Sequence, residues 1–235
     1  MRIAGCTALV TGAGRGLGAA FVRALRAAGA ATVYAGVRVP REDQPQSEDT
    51  VVLDVTRTDH IAAAALRLGD VGLLINNAGV MMPDAPLLDA QGSSGLQAQL
   101  ATNLFGMLDL TRAFTPSLAR AGGGCVVNVL SALSWATLPH TSAYSVSKAA
   151  AWALTNGLRN ELRAQRTQVL AVHMGYVDTD MARAVDATKL SPDVVAAQVL
   201  EAVECGDEEV LLDATARRVK SGLLWPRPLY LGPPL

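Results

Sequence analysis

Short apolar runs and longer helical patterns alternate from one end of this chain to the other. Thr7–Val10, Thr32–Ala35, Val51–Leu53, Leu73–Ile75, Cys125–Val129, Gln168–His173 and Glu209–Leu212 read as strands. Between them, Leu17–Ala28, His60–Leu68, Gly95–Ala119, Ala143–Ala164 and Pro192–Glu204 carry helical spacing. Strand, helix and strand in repeated succession form right-handed crossovers, which require a parallel sheet covered on both faces. Leu73-Leu74-Ile75 and Val126-Val127 show no polar alternation, as strands buried on both sides should. The expected fold class is α/β, a three-layer α/β/α sandwich around a single doubly wound, seven-stranded parallel sheet.

At 235 residues the chain has room for one large α/β unit or two small domains. No internal repeat and no Ser/Gly linker divides it, so residues 1–235 are read as one domain. Arg38–Asp49, with two prolines among polar residues, reads as a surface loop. Residues 225–235 form a Pro-rich tail that cannot continue a helix. It is either a flexible tail or an arm packed on a neighbouring subunit, since Trp225, Leu229, Tyr230 and Leu231 are costly to leave in water. With 20 basic against 21 acidic residues, the chain has no electrostatic footprint for nucleic acid. No apolar run is long enough for a bilayer and Met1–Gly5 does not open a signal peptide, so a cytoplasmic location without membrane contact is expected. Cys6, Cys125 and Cys205 are widely spaced and no His/Cys/Asp cluster has ligand spacing, so neither a disulfide frame nor a metal site is expected.

The first strand runs straight into Thr11-Gly12-Ala13-Gly14-Arg15-Gly16-Leu17-Gly18, and a helical pattern follows. A strand, a glycine turn and a helix start bring unpaired N–H groups and the positive helix end against a pyrophosphate, the dinucleotide site of a Rossmann-like fold. NAD sites usually place an acid at the end of the second strand to accept from the ribose 2′-hydroxyl. Here that stretch reads Tyr34-Ala35-Gly36-Val37-Arg38, with no acid until Glu42. Arg38 and Arg15 could instead pair with a 2′-phosphate, so NADP (NADPH) is expected over NAD.

Four further islands follow in order: Asn76-Asn77-Ala78-Gly79, Asn103 inside the long helix, Ser131 after the fifth strand, and Tyr144-Ser145-Val146-Ser147-Lys148. With the glycine turn, they resemble the single-domain short-chain dehydrogenases/reductases, from about residue 5 to 215. The resemblance implies an NADP-dependent carbonyl reductase or alcohol dehydrogenase, in which hydride passes between the nicotinamide and a carbonyl or alcohol carbon. It implies that Tyr144 is the general acid or base and that Ser131 hydrogen-bonds the same oxygen, with Ser134 as the alternative. Lys148 would support Tyr144 and bind the nicotinamide ribose, and Asn103 would anchor a proton-supplying water chain or simply cap a helix kink. The cofactor contacts it implies are Gly12, Gly14, Arg15, Gly16, Leu17, Gly18 and Arg38; Asp54 and Val55 at the adenine; Asn76, Ala78 and Gly79; Tyr144 and Lys148; and Gly175, Val177 and Thr179. For Asn76-Asn77 a structural role, tying neighbouring strands, is the competing reading.

Residues 144 and 148 stand one helical turn apart, about 6 Å along the axis, on one face. A lysine ammonium ~4 Å away at an effective dielectric of ~20 favours phenolate by about 4 kcal/mol. That would bring a tyrosine from ~10 towards ~7, with burial pushing the other way. After the sixth strand, where the family has Asn-Pro-Gly, this chain reads His173-Met174-Gly175. Losing the proline frees a φ angle and adds an N–H, so looser nicotinamide positioning is expected.

His173 reads as a strand-end structural residue or a ligand contact, His140 as a residue near the substrate opening, and His60 as an ordinary helix-start residue. By resemblance the substrate lies between Val80–Pro86, Ala132–Thr141 and Val177–Pro192, with Asp178–Leu190 as a mobile lid. Wall candidates Met81, Met82, Leu133, Trp135, Leu138 and Met181 suit a small carbonyl or alcohol substrate with an apolar or aromatic body, although each could equally be core. Glu209–Leu224 and the tail resemble the segment that joins subunits into a homo-oligomer, a tetramer or dimer. Two other functions stay open: non-redox acid–base chemistry (dehydration, cyclisation, isomerisation) on the same fold, and a non-catalytic NADP sensor.

Overall fold

The computed structural model describes residues 1–40, 49–82 and 86–231. Most of the expected surface loop (41–48), part of one substrate wall (83–85) and the end of the tail (232–235) lie outside the described residues. The strands are β1 (Thr7–Thr11), β2 (Thr32–Val37), β3 (Thr50–Val52), β4 (Leu73–Asn76), β5 (Cys125–Val129), β6 (Gln168–His173) and β7 (Glu209–Leu211). They form one seven-stranded sheet in the order β3-β2-β1-β4-β5-β6-β7, and every pairing is parallel. The order reverses between β1 and β4. Successive crossovers leave in opposite directions there, which opens a crevice beyond the carboxyl ends of those two strands.

The helices are α1 (Gly16–Ala27), α2 (Thr58–Arg67), α3 (Gly92–Leu100), α4 (Met107–Arg120), α5 (Ser142–Leu162), α6 (Pro192–Cys205) and α7 (Ala214–Ser221). Strand alternation sorts the core into two layers. Ala8 and Val10 of β1 join Phe21, Leu25, Val195 and Val199 under α1 and α6, whereas Leu9 joins Leu74, Ile61 and Phe114 under α2 and α4. Burying each large side chain stabilises the fold by about 1.5–3 kcal/mol.

The continuous helix expected over Gly95–Ala119 is instead three pieces. A π-helical turn, Ala101–Gly106, separates α3 from α4. Two packing demands account for it. Gly106 passes so close to Val55 that a Cβ there would stand 2.8 Å from Val55 atoms. Asn103, 1% exposed, makes hydrogen bonds outside its own helix, and such insertions widen a helix locally.

Candidate active site

At the carboxyl end of β1 the chain turns through Gly12, at φ +65°. A Cβ on Gly12 would stand 3.0 Å from the Ala78 Cα, and one on Gly18 only 2.1 Å from the Gly12 carbonyl oxygen. Hydrogen alone fits at either place, so the turn lies flat on the start of α1. Arg15 precedes α1 in an extended conformation, no side chain caps the helix, and no acid stands in its first turn. Its leading N–H groups and positive end are therefore open to an anion. Leu17 offers that anion only its backbone, because its side chain is core. Gly14 sits beside Val37, where β2 ends and the exposed Arg38 follows.

Thr11 and Asn77 join this turn to β4. Thr11 Oγ1 accepts the N–H groups of Asn77 and Ala78 at 3.1 and 3.0 Å, and Asn77 Nδ2 donates to the Thr11 and Gly12 carbonyls at 2.8 and 3.3 Å. Asn76 faces the core instead. Its Nδ2 donates to Thr111 Oγ1 at 3.1 Å and Asn128 Oδ1 at 2.9 Å, and Asn128 Nδ2 continues to Thr155 Oγ1 at 3.0 Å. Asn76, expected on the cofactor, is thus a strand tie, and Asn77 is the residue that shapes the glycine turn. β4 ends at Asn76, and the chain turns there with the Asn77 N–H donating to the Ile75 carbonyl at 3.0 Å, so the two side chains part company.

Beyond β3, Asp54 Oδ1 accepts the Thr56 N–H at 2.9 Å and the Thr56 hydroxyl at 2.7 Å. Partial burial raises its carboxyl, but these bonds and the nearby Arg38 and His60 outweigh it and hold the group below the usual carboxylate range. His60 is more than a helix-start residue, since its Nδ1 accepts the Asp54 N–H at 3.2 Å. Val55, expected at the adenine, is buried in the core.

The residues expected to do the chemistry converge on the end of β5. Lys148, 4% exposed, donates from Nζ to the Val129 carbonyl at 2.8 Å, and its Nζ lies 5.7 Å from the Tyr144 ring centre. A Cβ on Gly79 would stand 3.4 Å from Asn103 Oδ1 and 3.7 Å from Lys148 Nζ. Asn103 Nδ2 donates to the Val80 carbonyl and to Ser147 Oγ, each at 2.9 Å, and Oδ1 accepts the Val80 N–H at 2.8 Å. That side chain, expected to anchor water, spends both its donors on protein. Ser131 Oγ accepts the Leu133 N–H at 3.1 Å, which leaves its own hydrogen to donate. Ser134, the alternative, is buried and its Oγ has no hydrogen-bond partner among the described residues.

The charge coupling expected between Lys148 and Tyr144 does not set their ionisation; burial does. It pushes the Tyr144 phenol up to about 12 and the Lys148 ammonium down to about 8. The lysine is turned onto the Val129 carbonyl, and desolvation disfavours both charged forms.

The turn after β6, which lacks the proline, is tied to its neighbours by hydrogen bonds. Met174 is buried in the core and its carbonyl accepts the Ala132 N–H at 2.9 Å. Asp213 Oδ2 accepts the Gly175 N–H at 2.9 Å, while Oδ1 caps α7 through the Ala216 N–H at 2.7 Å. The following segment is closed at its base by Asp178 N–H to the Leu190 carbonyl (2.9 Å) and Leu190 N–H to the Tyr176 carbonyl (2.8 Å). Its Asp180 pairs with Arg15 at 2.8 Å and with Arg183. Thr179 lies over Gly16, and a cavity of about 350 Å³ beside it is lined by Gly16, Asp178, Thr179, Asp180, Arg183 and Lys189.

A family model described as short chain dehydrogenase matches residues 6–190. The chain belongs to the short-chain dehydrogenase family. A short-chain dehydrogenase from Burkholderia cenocepacia J2315, solved in complex with NADP, is 41% identical with a TM-score of 0.87, covering 95% of this chain and 94% of that one. Another, from Streptomyces avermitilis, is 28% identical with a TM-score of 0.82, covering 94% and 93%. Among sequence relatives, an uncharacterized oxidoreductase of Staphylococcus saprophyticus is 27% identical over 228 residues, 90% of this chain and 97% of its own.

Around this dehydrogenase site, Met81, Met82, Leu138 and Met181 are exposed, and Leu133 is half-buried. Trp135 is not a wall residue: it is buried and stacked on His173. His140 is exposed, with a left-handed backbone at φ +64° just before α5. Among the described residues no helix is long and apolar enough to cross a membrane, and no group of three His, Cys, Asp or Glu could hold a metal ion.

Proposed function

We propose that this short-chain dehydrogenase is NADP(H)-dependent and interconverts a carbonyl and its alcohol on a small molecule with an apolar or aromatic body. The observation that carries this reading is the meeting of Gly79 and Asn103 with Lys148, whose Nζ lies 5.7 Å from the Tyr144 ring centre, together with a glycine turn that Gly12 and Gly18 keep free of side chains. The cradle fits a dinucleotide: Gly12, Gly16 and Gly18 with the α1 N-terminus for the phosphates, Asp54 for the adenine amine, and Ala78, Gly79, Lys148, Gly175, Val177 and Thr179 along the remainder. When bound, the nicotinamide supplies or accepts hydride. Tyr144, protonated at neutral pH, gives its hydrogen to the carbonyl oxygen. Ser131 donates to the same oxygen, and Lys148 holds positive charge beside the Tyr144 ring. Exposed Met81, Met82, Leu138 and Met181 suit an apolar body. NADPH oxidation followed at 340 nm against ketones, aldehydes and quinones tests the reading, and NADPH binding without oxidation of any of them would count against it.

For the cofactor, the Burkholderia relative's NADP complex supports the same dinucleotide here, with Arg38 and Arg15 for its 2′-phosphate. Arg38→Ala is expected to weaken NADPH binding about 10-fold and leave NADH binding unchanged, the loss of one charge-assisted contact. Fluorescence titration with both nucleotides measures it, and equal losses for both would refute the assignment.

Reduction needs the phenol protonated and the lysine charged. Its rate is expected to hold from pH 6 and to fall above about 8, where Lys148 loses its proton. Alcohol oxidation needs phenolate, so it should rise with pH over the same range. Rate profiles in both directions check the opposite signs.

The exposed Leu224, Trp225, Tyr230 and Leu231, which follow α7, together with the unpaired outer edge of β7, support an oligomer built through the C-terminal segment. Light scattering at micromolar concentration is expected to give a dimer or tetramer, and a monomeric mass would refute it.

A further inference from the structure

We propose that His173 is a positioning residue for Ser131, holding from the end of β6 the turn that aims the serine hydroxyl. The inference rests on the serine role given above. His173 is fully buried, and its Nδ1 lies 3.0 Å from the Ser131 carbonyl oxygen. A carbonyl only accepts, so Nδ1 carries the hydrogen. The same carbonyl accepts the Ser134 N–H at 3.1 Å, and Ser131 Oγ accepts the Leu133 N–H at 3.1 Å. Ser131, the N-cap of the short 3-10 turn Ala132–Ser134, is thus held by His173 from outside and by the turn's own N–H groups from within. Trp135, the next residue, stacks on the imidazole with ring centres 3.9 Å apart and planes 21° apart, and Trp152 meets it edge-on at 6.0 Å. The imidazole therefore grips both ends of the serine turn, one by hydrogen bond and one by stacking.

Stability alone does not account for an imidazole here. Nε2 is buried without a hydrogen-bond partner among the described residues, and the nearest carboxylate, Glu209 Oε1, is 3.8 Å away. Glu209 is already paired with Lys220 of α7. Burial, with the positive Lys220 of α7 and Arg159 and Lys148 of α5, holds the ring down to about 4 against the pull of the Ser131 bond. At neutral pH Nε2 is then a bare acceptor facing a carboxylate that has no hydrogen to give. A phenylalanine would fill the same space and stack on Trp135 without that unsatisfied nitrogen. What it would lack is the hydrogen on Nδ1.

The experiment has a spectroscopic arm and a kinetic arm. Nitrogen-15 NMR of the labelled protein, with the His173 signals assigned by their loss in His173→Phe or His173→Asn, is expected to show Nδ1 protonated from pH 6 to 8; an Nε2–H tautomer overturns the proposal. In the kinetic arm, NADPH-dependent reduction of an aromatic ortho-quinone and the other panel compounds is followed in the variants. His173→Phe is expected to lower kcat about 10-fold with NADPH affinity within about twofold, and His173→Asn, whose amide donates where Nδ1 stands, to recover most of it. In a Ser131→Ala background, His173→Phe should cost nothing further; the same loss in both backgrounds overturns the proposal. If Ser131→Ala alone retains full activity, the serine reading fails and this inference falls with it. If wild type turns over no panel compound, the reductase reading fails, and the tautomer still decides whether His173 holds the Ser131 carbonyl. Should His173→Phe fail to fold, the asparagine variant and the tautomer carry the decision.

Discussion

Replacing Tyr144 by phenylalanine is expected to lower turnover by about 10²–10⁴-fold, the usual contribution of a positioned general acid, while NADPH affinity stays within about twofold. The substitution removes one hydroxyl and keeps the ring on α5, 5.7 Å from Lys148 Nζ. Lys148 keeps its bond to the Val129 carbonyl, and the glycine turn is untouched. Water is a poor substitute in this position, because the donor must arrive oriented at the carbonyl oxygen. Burial holds the phenol at about 12, so wild type stands with its hydrogen ready for reduction across the neutral range. Single-turnover oxidation of bound NADPH at 340 nm, with the most active carbonyl compound, measures the effect. A phenylalanine variant as fast as wild type would remove Tyr144 from the mechanism.

Gly18→Ala is expected to abolish cofactor binding at usable concentrations, weakening it by about 100-fold, equivalent to roughly 2.7 kcal/mol. The added Cβ would stand 2.1 Å from the Gly12 carbonyl oxygen and 2.7 Å from Asn77 Nδ2. Neither can yield cheaply. Gly12 is itself wedged 3.0 Å from the Ala78 Cα at a left-handed φ, and Asn77 is the residue that joins the turn to β4. The turn would have to lift away from α1, removing the N–H groups from the phosphates, and overpacking of this kind costs about 1–3 kcal/mol in stability besides. Isothermal titration with NADPH and a thermal melt test both parts. Wild-type affinity in the alanine variant would mean that the turn does not meet the phosphates.

Much of this architecture was legible in the chain because it is carried by local periodicity. Unbroken apolar runs such as Leu73-Leu74-Ile75 can be buried on both faces only inside a parallel sheet, and the strands lie where those runs lie. The helix holding Asn103 reads as continuous in the sequence because nothing local distinguishes a π-helical turn. The turn exists because Val55 and Val80, far away in sequence, approach Gly106 and Asn103. For a related reason the sequence leaves Asn76-Asn77 open between cofactor contact and strand tie. Two adjacent asparagines are chemically alike, and only the strand's orientation decides that Asn77 meets the crevice and Asn76 the core.

The sequence by itself determined the sheet, the glycine turn and the one-turn spacing of Tyr144 and Lys148, since each depends on neighbours along the chain. Tertiary structure alone decided how the site is held. His60 beneath Asp54, Asp213 on Gly175, and His173 with Trp135 under Ser131 are contacts between residues whose partners stand 6, 38 and 42 positions away. Ionisation was decided there too. An ammonium one turn from a phenol favours phenolate, but in this fold the lysine is turned onto the Val129 carbonyl and desolvation pushes the phenol up and the ammonium down.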